Sequence, residues 1–195
     1  MLPVNILCFF NKIFQAGSTD ILYIWQNLTF MKQSCDYTFG QTTFLVTLRT
    51  LVGWHFLYEG LVKVTNPDWS SAGYLLDSQG FLSGFFHSLT YKPSVLHTVD
   101  FLNEWGLILI GLGLILGLFT RFSLFAGILL LVMYYLSHPP FPGLHFSVPS
   151  EGSYLIVNKT LIELGTLLVL YVFPTRIGLD AIIRVLWKSR KHAAK

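Results

Sequence analysis

Four ionisable side chains recur along one apolar stretch of this chain: Arg49, His55, Glu59 and Lys63. At about 100° per residue in a helix, they share a stripe roughly 120° wide. Glu59 and Lys63 stand at i,i+4 in the favourable order, and His55 lies one turn before Glu59. An imidazole, a carboxylate and an ammonium so spaced have the parts of a proton relay or of a hydrogen-bonding site for a polar head group. Further along, Lys159, Glu163 and Thr166 form a second narrow polar face, with Asn158 close by. Ionisable groups inside an apolar segment are costly, so each is a functional candidate by default. The plainer alternative is that they lock helices together through buried hydrogen bonds.

The elements that must position these faces follow from composition. Of the 195 residues, 53 % are hydrophobic and 12 % charged, whereas a soluble domain carries about 25 % charged residues. Mean hydropathy is +0.58. A lipid-facing surface is expected, and the abundant Trp and Tyr suit the headgroup level. Crossing a bilayer takes about 20 apolar residues in a helix. Four runs qualify: Phe44–Val62, Phe101–Phe119, Phe122–Ser137, stopped by Pro139 and Pro140, and Tyr154–Phe173, stopped by Pro174. The expected fold is all-α, an integral membrane four-helix bundle.

Orientation follows from Lys and Arg. Lys32, Arg49, Arg121 and the basic tail (Arg176, Arg184, Lys188, Arg190, Lys191, Lys195) fall on one side, while the loop from Val64 to Asp100 has Lys92 and that from His138 to Ser153 has neither Lys nor Arg. Both termini are therefore expected in the cytoplasm. The tail reads as a topology signal and a contact with anionic lipid, not as a nucleic-acid site. The Val64–Asp100 loop carries Trp69, Tyr74, Phe81, Phe85, Phe86 and Tyr91, which predicts a short amphipathic segment or two lying on the outer face or capping the bundle. From Leu179 to Lys188 apolar and basic residues alternate at helical spacing, which predicts an amphipathic helix along the cytoplasmic surface with Asp180 as an early-turn acid.

Antiparallel first and fourth spans would place Glu59 beside Lys159 in the outer third, and His55 beside Glu163 near the middle. Glu104 lies in the outer third of the second span. His55, Glu59, Glu163 and Lys159 are thus the expected catalytic or relay residues, and Trp54, His55, Arg49 and Glu104 the expected head-group contacts. Arg49 and Arg121 lie near helix ends, where long cationic side chains snorkel to water. His87, His97, His138 and His145 show no metal-ligand spacing and read as surface residues; no metal site is expected. Gly106, Gly111, Gly113 and Gly117 mark close helix packing, with Gly113-x3-Gly117 as a small-xxx-small pair. Cys8 and Cys35 form no CxxC, and neither phosphate-binding glycine loops nor hydrolase or zinc motifs occur. Residues 1–30 resemble neither a signal peptide nor a span. Met31-Lys32 reads as a more natural start, so residues 1–30 are expected to be an extension, 31–180 the membrane domain and 181–195 the tail.

Several blocks together resemble the DoxX/DoxD-like family of small bacterial membrane proteins. They are Arg49-Thr-Leu-Val-Gly-Trp-His-Phe-Leu-Tyr-Glu-Gly-Leu-Val-Lys63, Pro67-Asp-Trp69 and Gly111-Leu-Gly-Leu-Ile-Leu-Gly-Leu-Phe-Thr-Arg121. Glu151 to Lys159, Glu163 and Phe173-Pro174 close the match. The resemblance implies four membrane helices in the bacterial inner membrane. A named relative of that family is the membrane subunit of a thiosulfate:quinone oxidoreductase. What it implies here is a membrane subunit that passes electrons or protons between an extracytoplasmic protein partner and quinone. No flavin, haem or iron–sulfur ligation pattern is present, so electrons would come from the partner. Two other readings stay open, a non-catalytic anchor or assembly partner and a small-solute transporter. Expected partners are the lipid bilayer, a protein at the outer face and a second copy of the chain.

Overall fold

The computed structural model describes residues 37–141, 143–144, 146–147, 155–175, 177–181 and 183. The expectations for Cys8, Cys35, Met31, His145 and the basic tail lie outside them. The chain divides into two compact units, Met1–Thr42 and Thr43–Lys195. Of the first, Tyr37–Thr42 is described. Here Thr38 N–H donates to Gln41 Oε1 (3.0 Å) and Gln41 N–H to Thr38 Oγ1 (3.3 Å). This reciprocal box satisfies two N–H groups that a helix start leaves unpaired.

It opens helix α1, Phe39–Thr65, which extends the apolar run Phe44–Val62 at both ends. Two short helices follow, α2 at Ala72–Leu76 and α3 at Ser83–Ser88; these are the segments expected in the aromatic loop. Helix α4, Pro93–Leu116, starts eight residues before the apolar run at Phe101. Pro93 fits the first helical turn, where no N–H partner is needed, and apolarity alone does not mark this polar beginning. Helix α5 is Thr120–Ser137 and α6 is Lys159–Val172. The start of α6 corrects the expectation of a helix from Tyr154: Leu155–Val157 is not helical. Asn158 is the cap, its side chain accepting from Leu161 N–H at 2.9 Å. Among the described residues there is no β-strand.

The four longer helices meet on one core of Val52, Phe56, Leu107, Ile110, Leu114, Leu124, Leu131, Leu167 and Leu170. What lies outside is apolar too. Phe44, Trp54 and Tyr58 on α1, Leu102 and Leu109 on α4, Phe122 and Phe125 on α5, and Ile162 and Val172 on α6 are all exposed. Water would not tolerate so extended an apolar exterior, whereas hydrocarbon requires it. Helices α4 and α5 are each long and apolar enough to cross a membrane.

The glycines act differently from the expectation. Gly111 lies against the α1 backbone: a Cβ there would stand 2.5 Å from Leu57 N and 2.7 Å from Gly53 O. Gly53 and Gly60, a heptad apart, supply the opposing surface against Leu114 and Ile108. Gly113 faces Ser123 of α5, but Gly117 does not pair with it across a helix contact. It ends α4 in the left-handed region at φ 65°, where its N–H caps Gly113 O. Gly106 touches nothing within 4 Å.

That turn anchors a knot at one end of the helices. Phe119 is left-handed at φ 49°, a conformation that costs a bulky residue energy. Asp180 compensates: its carboxylate accepts from Phe119 N–H (3.0 Å), Thr120 N–H (3.0 Å) and Thr120 Oγ1–H (3.1 Å). Asp180 thus caps α5 from the first turn of the following helix, which begins at Leu179, where an early-turn acid was expected. Arg49 does not snorkel. It is 4 % exposed, and Nη1 donates to Thr175 Oγ1 (2.8 Å) and Ile177 O (2.9 Å). The segment after α6 folds back over it and removes its route to water.

Candidate functional site

α1 and α6 bring His55 and Glu163 together. Nδ1 of His55 is hydrogen-bonded to Glu163 Oε1, the contact expected from depth and helix phase. A carboxylate only accepts, so Nδ1 carries the proton and donates. Glu163 thereby fixes the tautomer, and neutral His55 offers the Nε2 lone pair, as in other carboxylate–histidine pairs. Glu59 Oε1 lies 3.9 Å from Nε2. Glu163 is 14 % exposed, His55 32 % and Glu59 48 %, so the pair grades from the core to an open side. Lys159, the first residue of α6, also acts on His55 through space. Such a group can take a proton at Nε2 and hold the resulting cation between two carboxylates.

Lys63 belongs to a second cluster. Its ammonium donates to Asn103 Oδ1 (3.0 Å) and Tyr134 OH (3.5 Å). It also stands over the Trp69 ring, 5.2 Å from the centroid, and near that of Tyr134 at 5.7 Å. Lys63 therefore turns away from the expected pair with Glu59, because an amide oxygen and two aromatic faces lie within reach. Glu59 and Glu104 still act on it through space. Sequence reading missed Asn103 and Tyr134, whose neutral side chains carry no periodic signal. A polar Asn two residues into an apolar run was the available clue.

Two expected head-group contacts stand apart. Arg49 is held in the knot described above, six residues or about 9 Å along α1 from His55. Trp54 points outward, 59 % exposed, because adjacent helical residues diverge by about 100°.

At the Lys63 end, His138 is not a surface residue. Its side chain is 14 % exposed. The ring stacks on Tyr74 (3.9 Å between centroids) and tilts against Phe146 (4.6 Å). Nδ1 meets Ser137 Oγ at 3.1 Å, and Nε2 lies 3.6 Å from Asp77 Oδ2. Asp77 in turn accepts from Ser147 N–H at 2.8 and 3.1 Å. Burial pushes the His138 pKa below its ordinary value near 6.5, with Asp77 opposing it. Burial likewise raises the neighbouring Tyr74. The folded protein therefore binds the His138 proton less well than the unfolded chain does. Stability from this group is present above pH 6.5 and falls as the pH drops through the lowered value. The melting temperature in detergent should fall between pH 7.5 and pH 5, and His138→Phe, which keeps the stack, should flatten that dependence.

Fold and site together define an all-helical membrane protein with a histidine–carboxylate pair among its helices. The DoxX family model matches residues 44–139, just under half of the chain, which is consistent with a DoxX-like protein. The match holds His55, Glu59, Lys63, Asn103 and Tyr134, while Glu163 and Asp180 lie beyond it. No curated protein and no solved structure matches the chain.

Proposed function

We propose that the protein is the membrane subunit of a quinone-linked oxidoreductase system, passing electrons or protons between an extracytoplasmic partner and the membrane quinone pool. The carrying observation is the His55–Glu163 pair with Nε2 directed toward Glu59. Reduction of a quinone takes up two electrons and two protons; oxidation of the quinol releases them. Neutral His55, its Nδ1–H committed to Glu163, would accept a quinol proton at Nε2 and pass it to Glu59. Protonated, it would donate in the opposite direction. Glu163 and Lys159 set the charge around the ring. Electrons come from the partner, so the purified chain should show no turnover alone.

In this reading α1, α4, α5 and α6 are four spans of a bacterial inner-membrane protein. Both termini are cytoplasmic, and α2, α3 and the loop from His138 to Ser153 face outward. The exposed Phe81 and Tyr91 favour a partner on that face. They also favour the second reading, a membrane anchor without chemistry of its own.

The test is bound quinone. Protein extracted in native lipid particles should carry near-stoichiometric quinone by mass spectrometry. The equally folded variant His55→Ala with Glu59→Gln should lose at least tenfold of it. Background quinone in both would leave the anchor reading.

A further inference from the structure

The hydrogen bonds of the Lys63 cluster have a forced direction. An ammonium donates and never accepts, so the Asn103 group 3.0 Å from Lys63 Nζ is the amide oxygen. The Asn103 amide nitrogen is then the group facing Tyr134, and it donates to the phenol oxygen at 2.6 Å. Lys63 adds a second, longer donation to the same oxygen at 3.5 Å. Both contacts to Tyr134 are thus accepted, and its own O–H proton points elsewhere. Among the described residues no group accepts it. A phenol set this way by its neighbours is a donor waiting for an oxygen acceptor.

We propose that Tyr134 is a ligand-binding residue, donating its O–H to the carbonyl oxygen of an uncharged aromatic ligand seated beside Lys63, Asn103 and Trp69. Charge decides the class of ligand. Glu59 and Glu104 both act through space on Lys63, so its charge is already answered within the protein and a neutral carbonyl suits the site better than a further anion. The indole of Trp69 supplies a flat apolar surface suited to an aromatic ring. Glu59 acts through space on Tyr134 as well as on His55, so one carboxylate influences both this donor and the His55 pair. This rests on the quinone reading of that site and adds its second pole, a donor at one end and the histidine at the other.

The test uses two probes, a short-chain naphthoquinone and a redox-inert aromatic ketone, titrated by quenching of tryptophan fluorescence in lipid nanodiscs. Tyr134→Phe should weaken both at least tenfold, and Asn103→Leu, which releases the phenol from its orientation, should weaken both to a lesser degree. Melting temperature reports folding separately. If Tyr134→Phe binds both probes as the native protein does, while His55→Ala loses the quinone, Tyr134 is only packing and the quinone reading survives. If the native protein binds the ketone through Tyr134 but carries no quinone, the donor stands and the redox reading falls. If an arylcarboxylate of equal size binds as tightly as the ketone, the neutral-ligand assignment is overturned.

Discussion

Gly111→Ala should cost roughly 3 kcal/mol, the upper end of ordinary overpacking, and Gly106→Ala on the same helix should cost nothing. The added methyl at Gly111 would lie 2.5 Å from Leu57 N and 2.7 Å from Gly53 O. Both are backbone atoms of α1, so no side chain can turn away, and relief requires α1 and α4 to separate. That separation would unpack Phe56 and Leu114 from their shared core. At Gly106 the methyl meets nothing within 4 Å, and the better helix propensity of alanine is worth up to about 1 kcal/mol. Thermal unfolding of the two variants, followed by size-exclusion chromatography in mild detergent, separates the cases. Equal stability would mean that α1 and α4 do not approach through their backbones.

Asp180→Ala should destabilise by about 3 kcal/mol, which is large for a partly exposed residue. Loss of an N-cap alone costs about 1–2 kcal/mol. Here the carboxylate also holds Phe119, whose φ of 49° is unfavourable, through the Phe119 N–H. It further supplies negative charge near the buried Arg49, and an uncompensated buried charge is expensive. Asp180→Asn, which keeps an acceptor, should recover part of the loss. In an Arg49→Met background the cost of Asp180→Ala should shrink, because the charge that needed balance is gone. Full additivity would mean that Asp180 acts on α5 alone.

Much of this was legible in the sequence where the signal is periodic or apolar. The runs at Phe44–Val62 and Phe122–Ser137 reappear within α1 and α5. The meeting of His55 with Glu163 followed from a helical phase and a depth count. What stayed hidden depends on which neighbour a flexible side chain finds. Lys63 had a carboxylate at i−4, yet its four-carbon stem reaches Asn103 and Tyr134. Arg49 looked free to snorkel because nothing local shows that Thr175 and Ile177 return over it. His138, one of several scattered histidines, is held by Tyr74 and Asp77, more than 60 positions earlier in the chain. Polar starts such as Pro93 to Asp100 are invisible to a hydrophobicity count, although Asp100 ties α4 back to Ser71 N–H at 2.8 Å.

The order of synthesis gives the Arg49 knot a further meaning. Arg49 is made with the first long helix, but the groups that hold it, Thr175 and Ile177, are made about 126 residues later. Until then a cation sits in the nascent helix with none of these acceptors, and α5 lacks its Asp180 cap. The segment after α6, once made, thus closes the beginning and the middle of the chain at once. A chain stopped short of Thr175 lacks both sets of contacts together.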